Sequence, residues 1–166
     1  MRLFDTMIAV PGVNFVVDLQ ASLLDRFFTI FNDIAFDTGA RESGIDVVVY
    51  FIVDRSLNSI HAAEQVRAKL RASELVLVHN EAIGNALNIP GAVEEYEDIE
   101  KDRDLVLPKL SEEARDLVET ADFSFADFIT GKSANISIVI RRELWHFLET
   151  IYNQRKIGGS KTVHLI

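Results

Sequence analysis

Polar residues follow three of four apolar segments of this 166-residue sequence, at the points where buried strands would end, and a proline follows the fourth. The apolar segments are 13–17, 47–53, 74–78 and 105–107, and the residues that follow them are Asp18, Asp54, His79 with Asn80, and Pro108. In an open α/β sheet, ligands bind beyond the carboxyl ends of the strands. The sequence therefore predicts that these residues lie along one edge of a sheet and form its candidate binding site.

The two aspartates each allow two interpretations. Asp18 can cap a helix that begins near Ala21, or its carboxylate can hold the water shell of Mg²⁺ beside a nucleoside triphosphate. Asp54 also precedes a helix, where the capping interpretation is favoured, and its alternative is the phosphoacceptor of a receiver-like module.

Asn80 carries both a donor and an acceptor on its amide, so it can pair with an adenine edge or form a turn after the strand. Pro108 can border the same site or simply end its strand. Neither His61 nor His79 has a second histidine or a carboxylate at ligand spacing, and His146 is interpreted as a packing residue of a helix. No metal is therefore assigned to a histidine.

The surrounding elements are indicated by hydrophobic periodicity. Val, Ile, Phe and Tyr without polar alternation are typical of strands that are covered on both faces of a parallel sheet. Between these strands, apolar residues recur with helical spacing, and Ser56 and Ser111 are predicted helix N-caps. The fold class is therefore α/β: an open, mainly parallel sheet flanked by helices, with a helical C-terminal region.

A single domain is expected over residues 1–166. Its sheet core covers 1–110, its C-terminal helices cover 111–157, and its tail 158–166 is either an extra edge strand or frayed. The acidic stretch 94–104 is predicted to be a solvated loop or an exposed helix before the last strand.

Composition narrows the function classes. The formal net charge of −9 gives no direct signal for nucleic-acid binding, which needs clustered Lys and Arg. The sequence contains no cysteine, which excludes disulfides, thiolate metal sites and cysteine nucleophiles. No apolar run approaches the roughly 20 residues that span a bilayer, and no signal peptide is readable. A soluble cytoplasmic protein without a membrane partner is expected.

Glycine-rich phosphate loops are absent from the sequence. No G-x-G-x-x-G occurs, and Gly131-Lys132-Ser133 lacks the earlier glycine of a P-loop, because position 126 is Ala126. These residues also follow a helix-like stretch, whereas a P-loop follows a strand. The segment "TGKS" is predicted to be a surface turn before the last helix.

Taken together, the segments resemble the later two-thirds of the ParA/MinD/CobQ-like P-loop ATPases, the deviant-Walker family of plasmid partition and transfer ATPases. "NFVVDLQAS" is similar to the Walker B strand of that family, and "VVVYFIVDRSLNSIHAAEQVRAKL" is similar to its next strand and helix. "LVLVHNEAIG" resembles the strand that ends in the adenine-contacting asparagine, and "DLVLPKL" resembles the last core strand, whose proline borders the base. The resemblance covers roughly residues 3–155.

This resemblance implies ATP and Mg²⁺ as cofactors, with Asp18 at the metal and with Asn80 and Pro108 at the base. It also implies an ATP-dependent dimerising switch in plasmid partition or conjugative transfer. The sequence departs from the family in one respect, because the phosphate-binding loop lies upstream of Walker B and this sequence has no such loop. We therefore expect either a fragment of a longer ATPase or a degenerate relative that does not hydrolyse ATP.

Two other function classes remain open. The first is a non-catalytic α/β interaction module, and the second, ranked last, is the receiver-like domain with Asp54 as phosphoacceptor. Because the strand that feeds the phosphate loop lies in the middle of the sheet in the resembling family, a gap or an exposed strand edge is expected here. A homo-oligomer or a partner protein could cover such an edge.

Overall fold

The computed structural model describes residues 2–10, 12–54, 56–84, 92–133, 135–154 and 161–166. It contains eight α-helices, five strands and one 3₁₀-helix within these ranges. The elements are α1 (Arg2–Ala9), β1 (Phe15–Val17), a 3₁₀-helix (Ala21–Leu23), α2 (Leu24–Asp33), α3 (Phe36–Glu42), β2 (Ile45–Val53), α4 (Leu57–Arg67), β3 (Glu74–Asn80), α5 (Ala92–Glu97), β4 (Arg103–Leu107), α6 (Glu112–Val118), α7 (Phe125–Ile129), α8 (Ile138–Gln154) and β5 (Lys161–Leu165).

The five strands form one sheet in the order β1-β5-β2-β3-β4, and every neighbouring pair is parallel. The α/β prediction is confirmed, and each of the four predicted strands is present. Because all strands run in the same direction, their carboxyl ends meet at one edge of the sheet, which we call the carboxyl edge.

Strand β5 corrects the prediction for the tail. The tail was expected to be an edge strand or frayed, but Lys161–Leu165 lies inside the sheet, between β1 and β2. The backbone pairing continues past the strand, because the Ile166 amide donates to the Val17 carbonyl over 2.8 Å. The gap that the resemblance predicted beside the Asp18 strand is therefore filled by a strand from the other end of the sequence.

The first face of the sheet is covered by α1–α5. Its core contains five phenylalanines whose rings contact one another, together with aliphatic residues from β2, β3 and α4: Phe4, Phe27, Phe28, Phe31, Phe36, Ile45, Val49, Leu75, Leu77 and Ile60. The helix predicted after Ala21 is split, because Ala35 takes a left-handed conformation with φ of 49°. This break turns Phe36 back against Phe4, with 4.8 Å between the ring centroids.

The second face of the sheet is only partly covered. Val48, Val76, Val78 and Leu105 form a small core there, and α8 packs over the outer strand β4. The Gln154 side chain pairs with both backbone groups of Val106, accepting from its amide over 2.7 Å and donating to its carbonyl over 3.0 Å. This pairing occupies the free edge of β4, where another strand could otherwise add.

Towards β1 and β2, the second face is exposed. Val16 is 64% exposed and Ile52 is 43% exposed. The prediction that these strands are covered on both faces is therefore wrong for this part of the sheet.

The C-terminal helices α6–α8 form a separate small core around Ala114, Phe128 and Leu144. Ser111 is the N-cap of α6, as predicted, and its hydroxyl accepts from the Ala114 amide over 3.2 Å. The segment "TGKS" is the predicted surface turn between α7 and α8, with Gly131 at φ of 76°. Among the described residues, no helix has both the length and the apolar character that crossing a membrane requires.

Candidate functional site

The predicted site residues all lie at or just beyond the carboxyl edge, but they do not form one cluster. Asn80 is in register with Leu107, so Pro108 lies next to it at the ends of the adjacent strands β3 and β4. Asp18 follows β1, and β5 and β2 stand between β1 and β3. Three interstrand spacings of about 4.8 Å separate Asp18 from Asn80 by roughly 14 Å. The structure thus brings Asn80 and Pro108 together and leaves Asp18 apart.

Asp18 does not cap a helix, so the capping interpretation is wrong. The N-cap positions of the 3₁₀-helix and of α2 are Gln20 and Leu23, and neither has a side-chain cap hydrogen bond. The Asp18 side chain is exposed and makes no hydrogen bond with the described part of the chain. Its carboxylate is therefore available to a ligand.

The backbone around Asp18 is held by the end of β5. The Leu19 amide donates to the Ile166 carbonyl over 2.6 Å, which continues the parallel pairing to the carboxyl edge. Asp18 therefore projects from a fixed strand end, although β1 itself is only three residues long.

A cavity of about 240 Å³ opens beside Asp18. Among the described residues that line this cavity, Asp18 is the one acidic residue, and there is no Lys or Arg. Tyr50 also lines the cavity, and the other lining residues are apolar: Leu19, Ala21, Leu24, Phe28, Val49, Phe51, Ile52, Val66 and Ile166. A carboxylate at an apolar cavity favours a cation or a bound metal over a free phosphate.

Asn80 forms a turn after β3. Its Oδ1 accepts from the Ala82 amide over 3.0 Å, and its carbonyl accepts from the Ile83 amide over 3.1 Å. The following residue joins this turn to the segment after β4, because the Glu81 carboxylate accepts from the Lys109 amide over 3.1 Å. The turn-forming interpretation of Asn80 is confirmed, and its contact with an adenine base stays a prediction.

Asp54 orders the start of α4 without being its cap. Asp54 Oδ1 accepts from both the amide and the hydroxyl of Ser56, each over 2.7 Å. The side-chain hydrogen bond from Ser56, followed by the backbone one, lowers the pKa of the Asp54 carboxyl below its usual value. The N-cap itself is Ser56, as predicted, and its hydroxyl accepts from the Ser59 amide over 3.2 Å. The prediction that Asp54 caps α4 is therefore wrong, and Asp54 instead holds the capping residue Ser56 in place.

A polar cluster around the buried Tyr96 on the first face was missed by sequence reasoning. Tyr96 is only 5% exposed, and its hydroxyl donates to Asp104 Oδ1 while lying 2.6 Å from Nε2 of His79. Lys101 Nζ lies 3.6 Å from the centroid of the Tyr96 ring and 3.7 Å from the Asp104 carboxylate. Burial, then the hydrogen bond to Asp104, raises the pKa of Tyr96 far above its usual range. We call His79, Tyr96, Lys101 and Asp104 the tyrosine cluster.

The tyrosine cluster corrects the interpretation of the acidic stretch 94–104. Tyr96 and Ile99 of this stretch are buried in the core of the first face. Asp102 Oδ2 accepts from the Leu75 amide over 2.7 Å and so fixes the start of β3. Glu95 lies 2.9 Å from Nε2 of His61. The stretch is docked against the sheet and α4, and only part of it is solvated.

Among the described residues, no group of three or more His, Asp or Glu side chains could hold a metal ion by itself. Comparison of the chain with protein-family models, with curated proteins and with solved structures finds no match. The resemblance to the ParA/MinD/CobQ-like ATPases therefore stays a prediction.

Proposed function

We propose that this chain is a nucleotide-binding α/β domain of the ParA/MinD-like type that does not hydrolyse ATP by itself. The observation that carries the proposal is the Asp18 carboxylate, which is exposed at the end of a parallel strand and is not used as a helix cap. Asn80 and Pro108 lie together farther along the same edge, where a bound base would sit. A cytoplasmic location and a role in plasmid partition or transfer belong to the same proposal.

The residues fit the metal and base ends of a nucleotide better than its phosphates. Mg²⁺ keeps several waters and is held by one or two carboxylates together with substrate phosphates, so a single Asp18 is sufficient on the protein side. The described lining of the neighbouring cavity contains no Lys or Arg that could neutralise phosphate charge. ATP therefore does not fit completely, and no hydrolytic step is assigned to the chain.

Titration calorimetry with ATP tests the proposal. We expect weak saturable binding, with a dissociation constant on the order of 1 mM. Asp18→Asn should weaken this binding several-fold when Mg²⁺ is present and leave it unchanged in EDTA, because only the metal-bound form uses the carboxylate. Asn80→Ala should weaken binding in both buffers.

The matched control is Asp33→Asn, which removes another exposed carboxylate at the end of α2. This variant should bind as the parent chain does. A folded parent chain that gives no saturable heat with ATP would overturn the proposal, and equal weakening by Asp33→Asn would remove Asp18 from it.

The second candidate is a non-catalytic interaction module, which the exposed part of the second face favours. A groove of about 420 Å³ lies there, lined mainly by apolar side chains that include Val16, Ile52, Val78 and Ile151. The calorimetric experiment separates the two candidates, because a folded chain that binds no nucleotide would exclude the first candidate and favour the interaction module.

A further inference from the structure

The outer side of α8 carries an exposed stripe at alternating spacings of four and three residues: Ile138, Arg142, Trp145, Glu149 and Tyr152. Its apolar members are well exposed, with Ile138 at 74%, Trp145 at 44% and Tyr152 at 62%. The opposite side of the helix is already used, because Leu144 is fully buried in the C-terminal core. The stripe is therefore a second apolar surface on a helix whose inner surface is satisfied, and this spacing is that of helices that pair.

The stripe is nearly symmetric about its centre. Ile138 lies seven residues before Trp145 and Tyr152 lies seven after it, while Arg142 and Glu149 stand on either side. When two such helices run antiparallel about an axis beside Trp145, Arg142 of each copy comes opposite Glu149 of the other. Both residues are exposed, and neither has an ion-pair partner in the part of the chain that the structure describes.

We propose that α8 pairs with α8 of a second copy of this chain in antiparallel orientation, with the twofold axis beside Trp145 and His146. Charge complementarity favours a second copy of the chain as the partner, because the twofold symmetry forms two Arg142–Glu149 pairs. The same symmetry brings Ile138 of each copy near Tyr152 of the other. Trp145 is a suitable anchor because it is held against Phe128, with 5.3 Å between the ring centroids. This inference does not depend on nucleotide binding.

The size of the contact sets the expected strength. The stripe spans about 21 Å at a rise of 1.5 Å per residue, which places the interface at the low end of specific contacts, below about 1,200 Å². The dimer should therefore depend on protein concentration. Salt at about 0.15 M screens the repulsion between the two acidic chains, because the Debye length is then roughly 8 Å.

Charge reversal followed by sedimentation velocity tests the pairing. Arg142→Glu and Glu149→Arg should each lower the dimer affinity at least tenfold, because each places like charges opposite one another twice. The double variant R142E/E149R should restore dimerisation to near the parent level. Arg41→Glu is the control, since Arg41 is exposed on α3, away from the stripe, and should leave dimerisation unchanged.

Cysteine cross-linking tests the antiparallel orientation of the two helices. The sequence has no cysteine, so each introduced cysteine is the only thiol in the chain. His146→Cys lies level with the axis at the flank of the stripe and should be linked to its own copy by a short bifunctional thiol reagent. Ile138→Cys should not, since two copies of position 138 would be about 20 Å apart along the helices. A parent chain that stays monomeric at high concentration, a double variant that stays monomeric, or preferential self-linking of Ile138→Cys would each overturn the proposal.

Discussion

The two faces of the sheet belong to the same apolar strands but are packed differently. On β2, Ile45 points to the first face and is 3% exposed, whereas Ile52 points to the second face and is 43% exposed. Five helices cover the first face, while α8 covers mainly β4 on the second. The apolar composition of a strand thus shows which side chains it can bury. Whether those side chains are buried depends on how many helices cover that face of the sheet.

The largest expected effect comes from the matched pair Ile45→Ala and Ile52→Ala. Ile45→Ala removes a fully packed side chain and should lower the free energy of unfolding by about 2–5 kcal/mol. Ile52→Ala loses far less burial and should cost about 1 kcal/mol or less. Urea denaturation followed by circular dichroism measures both. Equal losses would mean that the second face is covered in solution, which would break the comparison.

Tyr96→Phe probes the tyrosine cluster of the first face. Loss of the hydroxyl leaves Asp104 and His79 without their buried partner and should cost about 1–3 kcal/mol at pH 8. The pKa of Tyr96 is raised above its ordinary value near 10, so the protonated hydroxyl stabilises the fold below that pH. This stabilisation is lost as the pH rises above 10, and the parent chain should lose stability there more steeply than Tyr96→Phe.

Urea midpoints at intervals from pH 8 to 11 compare the two chains. Parallel curves for the parent and for Tyr96→Phe would show that the hydroxyl titrates as it does in an unfolded chain, and the contacts assigned to Tyr96 in the tyrosine cluster would then be wrong.

Gln154→Ala gives the smallest expected effect and probes how the second face is closed over β4. Two hydrogen bonds to Val106 are lost, and because water can reach this strand edge, the cost should be about 1 kcal/mol. Asn153→Ala is the neighbouring exposed control and should change stability by less than about 0.5 kcal/mol. Thermal unfolding resolves this difference, and equal costs for both variants would remove Gln154 from the closure of the sheet edge.

Local patterns predicted the four strands 13–17, 47–53, 74–78 and 105–107 and two of the helix caps. Ser56 and Ser111 are N-caps because each hydroxyl accepts from a backbone amide of the first helical turn that has no partner within the helix. This contact is local and does not depend on the tertiary structure. The same reasoning failed for Asp18, where the chain turns into a 3₁₀-helix whose amides lie out of reach of its carboxylate. The tyrosine cluster was also missed, because His79 and Asp104 meet only when β3 and β4 pair.

The sequence by itself determined that this chain forms a parallel α/β sheet with polar residues at the carboxyl ends of its strands, because hydrophobic periodicity and strand polarity act over short distances. Only the tertiary structure decided that β5 lies between β1 and β2, that Asp18 stands apart from Asn80, and that one face of the sheet is partly exposed. These features depend on which distant segments pair, and backbone hydrogen bonds between strands are the same for every sequence, so their partners are chosen by packing of the whole chain.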